Sequence, residues 1–294
     1  MDNSEGLMPL IFASHGTPLM SITDCDSTAW FQKKLQVGRE IVANVKGIVI
    51  INSHWVELDD KIRVATNSDP HVDLTPLVPR EKYDHFKPNI SRDLGLRVIS
   101  LLRAAGFPDV EESTTAEWVD APTTPSLHMF PNDMPPATTV SVNARYDPVF
   151  HVRMGQALRS LRKEGILLMA SGSIVHNIFR GNHLPILLRR DNLQKGSQPA
   201  KFALDFEKSI DDIITSNTGA ELAAALVRIT QSPRYLEAHP SNDHFYPLLV
   251  LAGALYDDEE VYGRSMAKTY EMRNIVNVQY MWGDFGRKPM VAVA

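Results

Sequence analysis

Four histidines stand where they could share one chemistry. His15 closes the apolar run Leu10-Ile11-Phe12-Ala13-Ser14 and opens the turn Gly16-Thr17-Pro18. His54 ends the run that starts at Gly47 and passes through Ile48-Val49-Ile50-Ile51. His176 follows a third run, Gly165 to Ser173, and His244 sits in Asn242-Asp243-His244-Phe245-Tyr246-Pro247. Neutral imidazole binds zinc, iron and copper, and a mononuclear centre with open positions takes about three protein ligands. His15, His54 and His244 fit that count, the first two on strand-end loops and the third at a helix start. His176 is then an unligated imidazole, able to take a proton from a substrate and return it. Asn177 and Arg180, just beyond it, could orient oxygen or carboxylate groups of a substrate. Thr17, in the His15 turn, joins them as a substrate-binding candidate. A lone strand-end histidine is ordinarily structural or solvated, so the weight lies in the repetition at three strand ends. No H-E-x-x-H or C-x-x-C motif sharpens the signal.

The three runs lack alternation, as strands buried on both faces do. In open α/β sheets, ligands bind at the carboxyl ends of such strands. The expected fold is therefore α/β: one domain over residues 1–294, with a mixed central sheet flanked by helices. A helix is predicted over 26–44, with Trp30, Phe31, Leu35, Ile41 and Val42 inward. A strand at 48–52 and another at 61–66 follow. Residues 67–90 read as a long surface excursion carrying solvated His71 and His85. Ser91 caps a helix ending before Gly106. Residues 113–137 read as irregular, followed by a short strand at 138–142. Asp147-Pro148 opens a helix to 164, and Gly165 ends it. Residues 178–199 read as a basic loop. Amphipathic helices follow at 200–216, with Phe202, Phe206, Ile210 and Ile213 as the stripe, and from Gly219. The last helix, 246–256, is capped by Asn242 or Asp243 with Pro247 in its first turn. The last strand is 275–281.

Composition excludes several classes. The formal net charge of −5 gives no electrostatic case for nucleic acid or an anionic membrane. No apolar stretch reaches the ~20 residues that span a bilayer. The acidic start Met1-Asp2-Asn3-Ser4-Glu5 lacks the basic region of a secretory signal, and the final Val291-Ala292-Val293-Ala294 is no known address, so a cytoplasmic location is expected. Cys25 is the single cysteine, which rules out an internal disulfide and reads as a bystander.

Taken together, Ser14-His15-Gly16-Thr17-Pro18, Ser53-His54-Trp55, Ala170-Ser171-Gly172-Ser173-Ile174-Val175-His176-Asn177 and Asp243-His244-Phe245-Tyr246-Pro247-Leu248 resemble, in order and spacing, the class III (LigB-type) extradiol ring-cleavage dioxygenases. The branch is the DOPA-dioxygenase-like one, and the resemblance runs from about Pro9 to the C-terminus. It implies one non-haem metal held by His15, His54 and His244, with His176 as acid/base. The implied cofactor is Fe(II). Zn(II) could occupy the same three imidazoles. A small aromatic substrate (a catechol or related phenol) and O2 are the implied partners, and a homodimer is common for folds of this kind. His239, in Ala238-His239-Pro240, falls outside the ligand position and is expected behind the ligands as support. Two loops depart from the family. Its Asp-His-Gly becomes Val119-Asp120-Ala121-Pro122, without a histidine, and His128 further along is given no role. Its Asp-Phe-x-Gly-Phe-Pro loop is replaced around Val72-Asp73-Leu74-Thr75-Pro76. The metal set is thus kept while the loops that shape the substrate pocket change. The expected activity is extradiol-type ring cleavage. A zinc-dependent hydrolase or lyase on the same scaffold, or a binding protein that kept the fold, are the alternatives.

Overall fold

Strand β6 (Ile166–Gly172) lies between β1 (Leu10–Ser14) and β2 (Gly47–Glu57), parallel to both and buried along its whole length. In this computed structural model, which describes residues 6–36 and 45–285, these three strands form the centre of one nine-stranded mixed sheet. Outward from β2 come β5 (Ala137–Asn143), parallel to it, then β3 (Lys61–Ala65) antiparallel, then β4 (Asp109–Ser113) at the edge. On the other flank, β1 pairs with the antiparallel strand β9 (Ile275–Trp282), which also takes β7 (Val175–His176) and β8 (Arg264–Glu271).

Alternation along the central strands divides the core in two. Leu10, Phe12, Val49, Ile51, Leu168 and Ala170 face one layer. Ile11, Ala13, Ile48, Ile50, Leu167 and Met169 face the other. Helices α1 (Asp26–Gln36) and α3 (Asp120–Met129) cover the second layer. The first layer takes α2 (Arg92–Ala104), α4 (Pro148–Leu158), α6 (Lys201–Ser216), α7 (Gly219–Ile229) and α9 (Tyr246–Ala254). All nine residues of α9 are buried, as a helix apolar on every side must be. It crosses α4 so closely that a Cβ on Gly253 would stand 2.0 Å from the Val152 carbonyl oxygen. Among the described residues no helix is long and apolar enough to cross a membrane.

Most predicted elements stand where the periodicity puts them. Ser91 accepts from the Leu94 N–H, and Asp147 accepts from Val149 and Phe150. The predicted helix over 26–44 is described to Gln36; the rest of it, with Ile41 and Val42, lies outside the described residues.

Other expectations need correction. His54 is not on a strand-end loop, because β2 continues through it to Glu57 with an irregular register against β5. The 67–90 segment is not a surface excursion: Leu74, Val78, Tyr83 and Phe86 are buried with Trp118, although His71 and His85 are exposed as expected. Edge strand β4, with Glu111 and Glu112, was not expected, because its charges break the apolar run that marks a buried strand. Half-exposed β8 was masked in the same way. Residues 178–199 contain the short helix α5 (Leu184–Arg189), and α8 (Pro233–Ala238) precedes His239. Neither Asn242 nor Asp243 caps α9 with its side chain. The Asn242 carbonyl accepts from Phe245 and Tyr246, and its side chain accepts from Tyr235.

The largest correction is α3 itself, in a stretch dense in Thr and Pro. Pro122 falls in its first turn, where no intrahelical donor is needed. Pro125 lies further in and removes the N–H that would reach the carbonyl of residue 121, four residues back.

Candidate metal centre

His15 follows β1, His54 lies in the last part of β2, and His244 stands two residues before α9. The sheet register sets Ser14 beside Gly172 and Asn52 beside Ser171, so the ends of β1 and β6 come level with the part of β2 just before His54. One ligand nitrogen from each of the three histidines lies within 4.8 Å of the others. The three ring centroids are 4.9 to 5.1 Å apart. His176, on β7, stacks on His244 at 3.5 Å with the rings 10° from parallel. The fold thus brings together all four histidines singled out in the sequence.

Hydrogen bonding fixes how each ring is presented. The Ser171 hydroxyl gives its one proton to the Ala121 carbonyl at 2.5 Å, so at 2.9 Å it accepts from His15 Nδ1–H. His15 Nε2 is then unprotonated, and it is buried without a partner. His54 Nδ1 lies 2.5 Å from the Asp120 carboxylate, and His244 Nδ1 lies 2.9 Å from that of Asp243. The Asp120 carboxylate draws the His54 Nδ1 proton and leaves Nε2 free, whereas His244 Nδ1 is near Asp243 in distance only and makes no hydrogen bond. His54 Nε2 and His244 Nε2 stand 3.0 Å apart, two lone pairs that repel unless a cation or proton lies between them. Metal-bound histidines typically donate their other ring N–H to a carboxylate or carbonyl, which orients the ring and raises its basicity. Here the Asp120 carboxylate does this for His54 and a serine-relayed carbonyl does it for His15. The residues present therefore fit a three-imidazole metal.

The rings differ in their electrostatics. Burial and the neighbouring His54 and His244 hold His15 well below the usual imidazole range, as a neutral ring. Burial would also lower His54, but the Asp120 carboxylate outweighs it and raises the ring above its ordinary value. Burial and His244 hold His176 well below the usual range, and its Nδ1 has no hydrogen-bond partner. Burial pushes the Asp243 carboxyl up, but His244 and Ser241 more than reverse this.

The remaining candidates lie outside this cluster. Thr17 gives its N–H and its hydroxyl to Glu271. The Asn177 amide donates to the Glu237 carbonyl and accepts from the Arg180 N–H. Arg180 pairs with Glu237 and lies over the Phe202 ring. His239 is buried among Phe206, Tyr235 and Phe245, and its Nε2–H donates to the Ile174 carbonyl, two residues before His176.

Sequence reading missed the groups around the candidate rings: Asp120, Ser171 and the Ala121 carbonyl, and Asp243 as a charge beside His244. Asp243 had a signal, since it adjoins His244. Asp120 carried none, because only the chain's return through α3 brings it to His54.

A family model described as the catalytic LigB subunit of aromatic ring-opening dioxygenase matches residues 9–282. Among curated proteins, a 4,5-DOPA dioxygenase extradiol of Beta vulgaris is 27% identical over 86% of this chain and 89% of its own length. One of Escherichia coli K12 is 26% identical, over 87% and 88%. A dioxygenase of Hapsidospora irregularis is 24% identical, over 95% and 86%. Among solved structures, an uncharacterised protein of Escherichia coli K12 superposes with a TM-score of 0.73 at 23% identity, covering 94% of this chain and all of that one, a likeness of fold.

Proposed function

The chain belongs to the LigB family of aromatic ring-opening dioxygenases, and from that premise we propose that it is an Fe(II)-dependent extradiol-type dioxygenase that opens a catechol or related phenolic ring with O2. The observation that carries this reading is the convergence of three imidazoles, one nitrogen of each within 4.8 Å of the others, beside a His176 ring stacked on His244 whose Nδ1 has no hydrogen-bond partner.

Bound iron(II) would supply a docking point for both oxygens of a catechol and the redox link between ring and O2, which redox-inactive zinc does not. His15, His54 and His244 would hold that metal, with His15 and His54 oriented by Ser171 and Asp120 at Nδ1. His176 takes the proton of a phenolic oxygen. Burial keeps its imidazole neutral, so one ring nitrogen carries a lone pair that can accept the proton. Later the same ring returns the proton. Ala121 stands where the family pattern has a histidine facing the substrate, so His176 carries the proton traffic without that second imidazole.

The second reading, a zinc-dependent hydrolase or lyase, is favoured by Ala121 and by a three-imidazole set that zinc also accepts. Anaerobic reconstitution with Fe(II), followed by oxygen uptake on a panel of catechols and phenols, separates the two. Uptake with a new yellow semialdehyde absorbance, lowered about 10²- to 10⁴-fold in His176→Ala at unchanged iron content, is the expected result. Tight metal binding without oxygen uptake on any phenol would overturn it in favour of the zinc reading.

A further inference from the structure

Behind the metal site lies a carboxylate that the proposed chemistry does not use. Glu271, the last residue of β8, is fully buried, and no Lys or Arg among the described residues pairs with it. Four donors converge on it instead. Thr17 gives its N–H at 2.9 Å and its hydroxyl at 2.7 Å, Asn192 gives its amide at 2.6 Å and Asn277 gives its amide at 2.7 Å. Four donors on two oxygens are the complement of an ionised carboxylate.

The network reaches both ends of the ligand set. Thr17 is two residues from His15, and Gly16 between them has φ +68°, the left-handed region. A Cβ at Gly16 would stand 2.2 Å from Glu271 Oε2, so the turn after His15 is pressed against the carboxylate. On the other side, the Asn277 carbonyl oxygen accepts from the Ser173 hydroxyl at 3.0 Å, which fixes the Asn277 amide toward Glu271. Ser173 in turn gives its backbone N–H to the His244 carbonyl at 3.1 Å. One buried carboxyl group therefore ties the backbone after His15 to the backbone at His244, two candidate ligands 229 positions apart in the chain.

We propose that Glu271 is a positioning residue of the metal centre, which sets the spacing of His15 and His244 through Thr17 on one side and Asn277–Ser173 on the other. This rests on the reading of His15, His54 and His244 as metal ligands. It also gives Thr17 a different task from the substrate contact expected from its sequence position.

The test uses the full chain stripped of metal and titrated with Co(II) and Zn(II). Glu271→Gln keeps the shape but replaces one acceptor oxygen by a donor that faces donors. Glu259→Gln is the control: it breaks the buried Glu259–Arg162 pair, with Arg162 Nη1 at 2.6 Å, in a part of the fold that the network does not include. The expected result is a roughly 10- to 100-fold loss of metal affinity and a changed Co(II) visible spectrum in folded Glu271→Gln. Glu259→Gln lowers the melting temperature yet keeps the wild-type affinity and spectrum. Equal affinity and an identical spectrum in Glu271→Gln, or an equal loss in the control, overturns the proposal. If Glu271→Gln does not fold, Thr17→Val, which removes one of the four donors, must lower affinity; an unchanged value overturns the proposal as well. Failure of the wild-type chain to bind either metal would instead sink the metal-centre reading itself.

Discussion

The hydroxyl of Ser171 meets the carbonyl of Ala121 at 2.5 Å, across 50 positions of sequence. That carbonyl lacks its usual helical donor because residue 125 is proline. Serine supplies the missing hydrogen bond and, having spent its one proton, must accept from His15 Nδ1. A proline inside a helix thus sets the tautomer of a histidine on another element.

Ser171→Ala should remove that relay. His15 then has no acceptor for its Nδ1 proton, and the tautomer with the proton on Nε2 competes with metal. The expected loss is roughly 10-fold in Zn(II) or Co(II) affinity, at the low end for groups that orient a ligand. Competition against a chelating dye measures it, and an unchanged affinity would show that the relay does not fix the ring.

Asp120→Asn should cost more, up to about 100-fold, because a charged acceptor is lost from His54 in a buried site. Calorimetric metal titration reads the change. If Asp120→Asn and Ser171→Ala weaken binding equally, the carboxylate's charge contributes nothing beyond its geometry.

His151 gives a pH dependence separate from the metal. It is fully buried at the start of α4, donates from Nδ1 to the Asp147 carbonyl at 2.7 Å and accepts at Nε2 from the Asn143 N–H at 3.1 Å. Burial lowers its pKa to about 4, despite the Asp147 carbonyl acting in the other direction. The unfolded chain, titrating near 6.5, binds the proton first as pH falls. The stability that depends on a neutral His151 is therefore complete above about pH 6.5 and is lost toward pH 4, by ~3 kcal/mol in all. Urea unfolding at pH 7.5 and 4.5 should show a smaller loss in His151→Gln than in the wild type, by ~2 to 3 kcal/mol. Parallel losses in the two proteins would refute it.

Gly253→Ala should push α9 away from α4, since the added methyl would meet the Val152 carbonyl oxygen at 2.0 Å. Overpacking of this kind costs on the order of 1–3 kcal/mol. Because α9 starts two residues after His244, metal affinity should fall together with the melting temperature. A lower melting temperature at full affinity would mean that the Asp243-His244 turn is held independently of its helix.

What the sequence determined by itself is local. Buried strands betray themselves by unbroken apolar runs, helices by period and caps, and histidines at strand ends by adjacency, so the α/β class and the four clustered histidines could be read directly. What only the tertiary structure decided is which acceptor each ring nitrogen meets and which backbone each buried polar group holds. Asp120 reaches His54 through a helix whose prolines hid it, and Glu271 reaches Thr17 from a strand whose charges hid it. Asn177 and Thr17, beside the right histidines in sequence, turn to other partners because a folded chain must satisfy its buried donors and acceptors wherever the fold leaves them. Such pairings join residues tens to hundreds of positions apart and leave no periodicity along the chain, which is why they become visible only once the sheet has set its register.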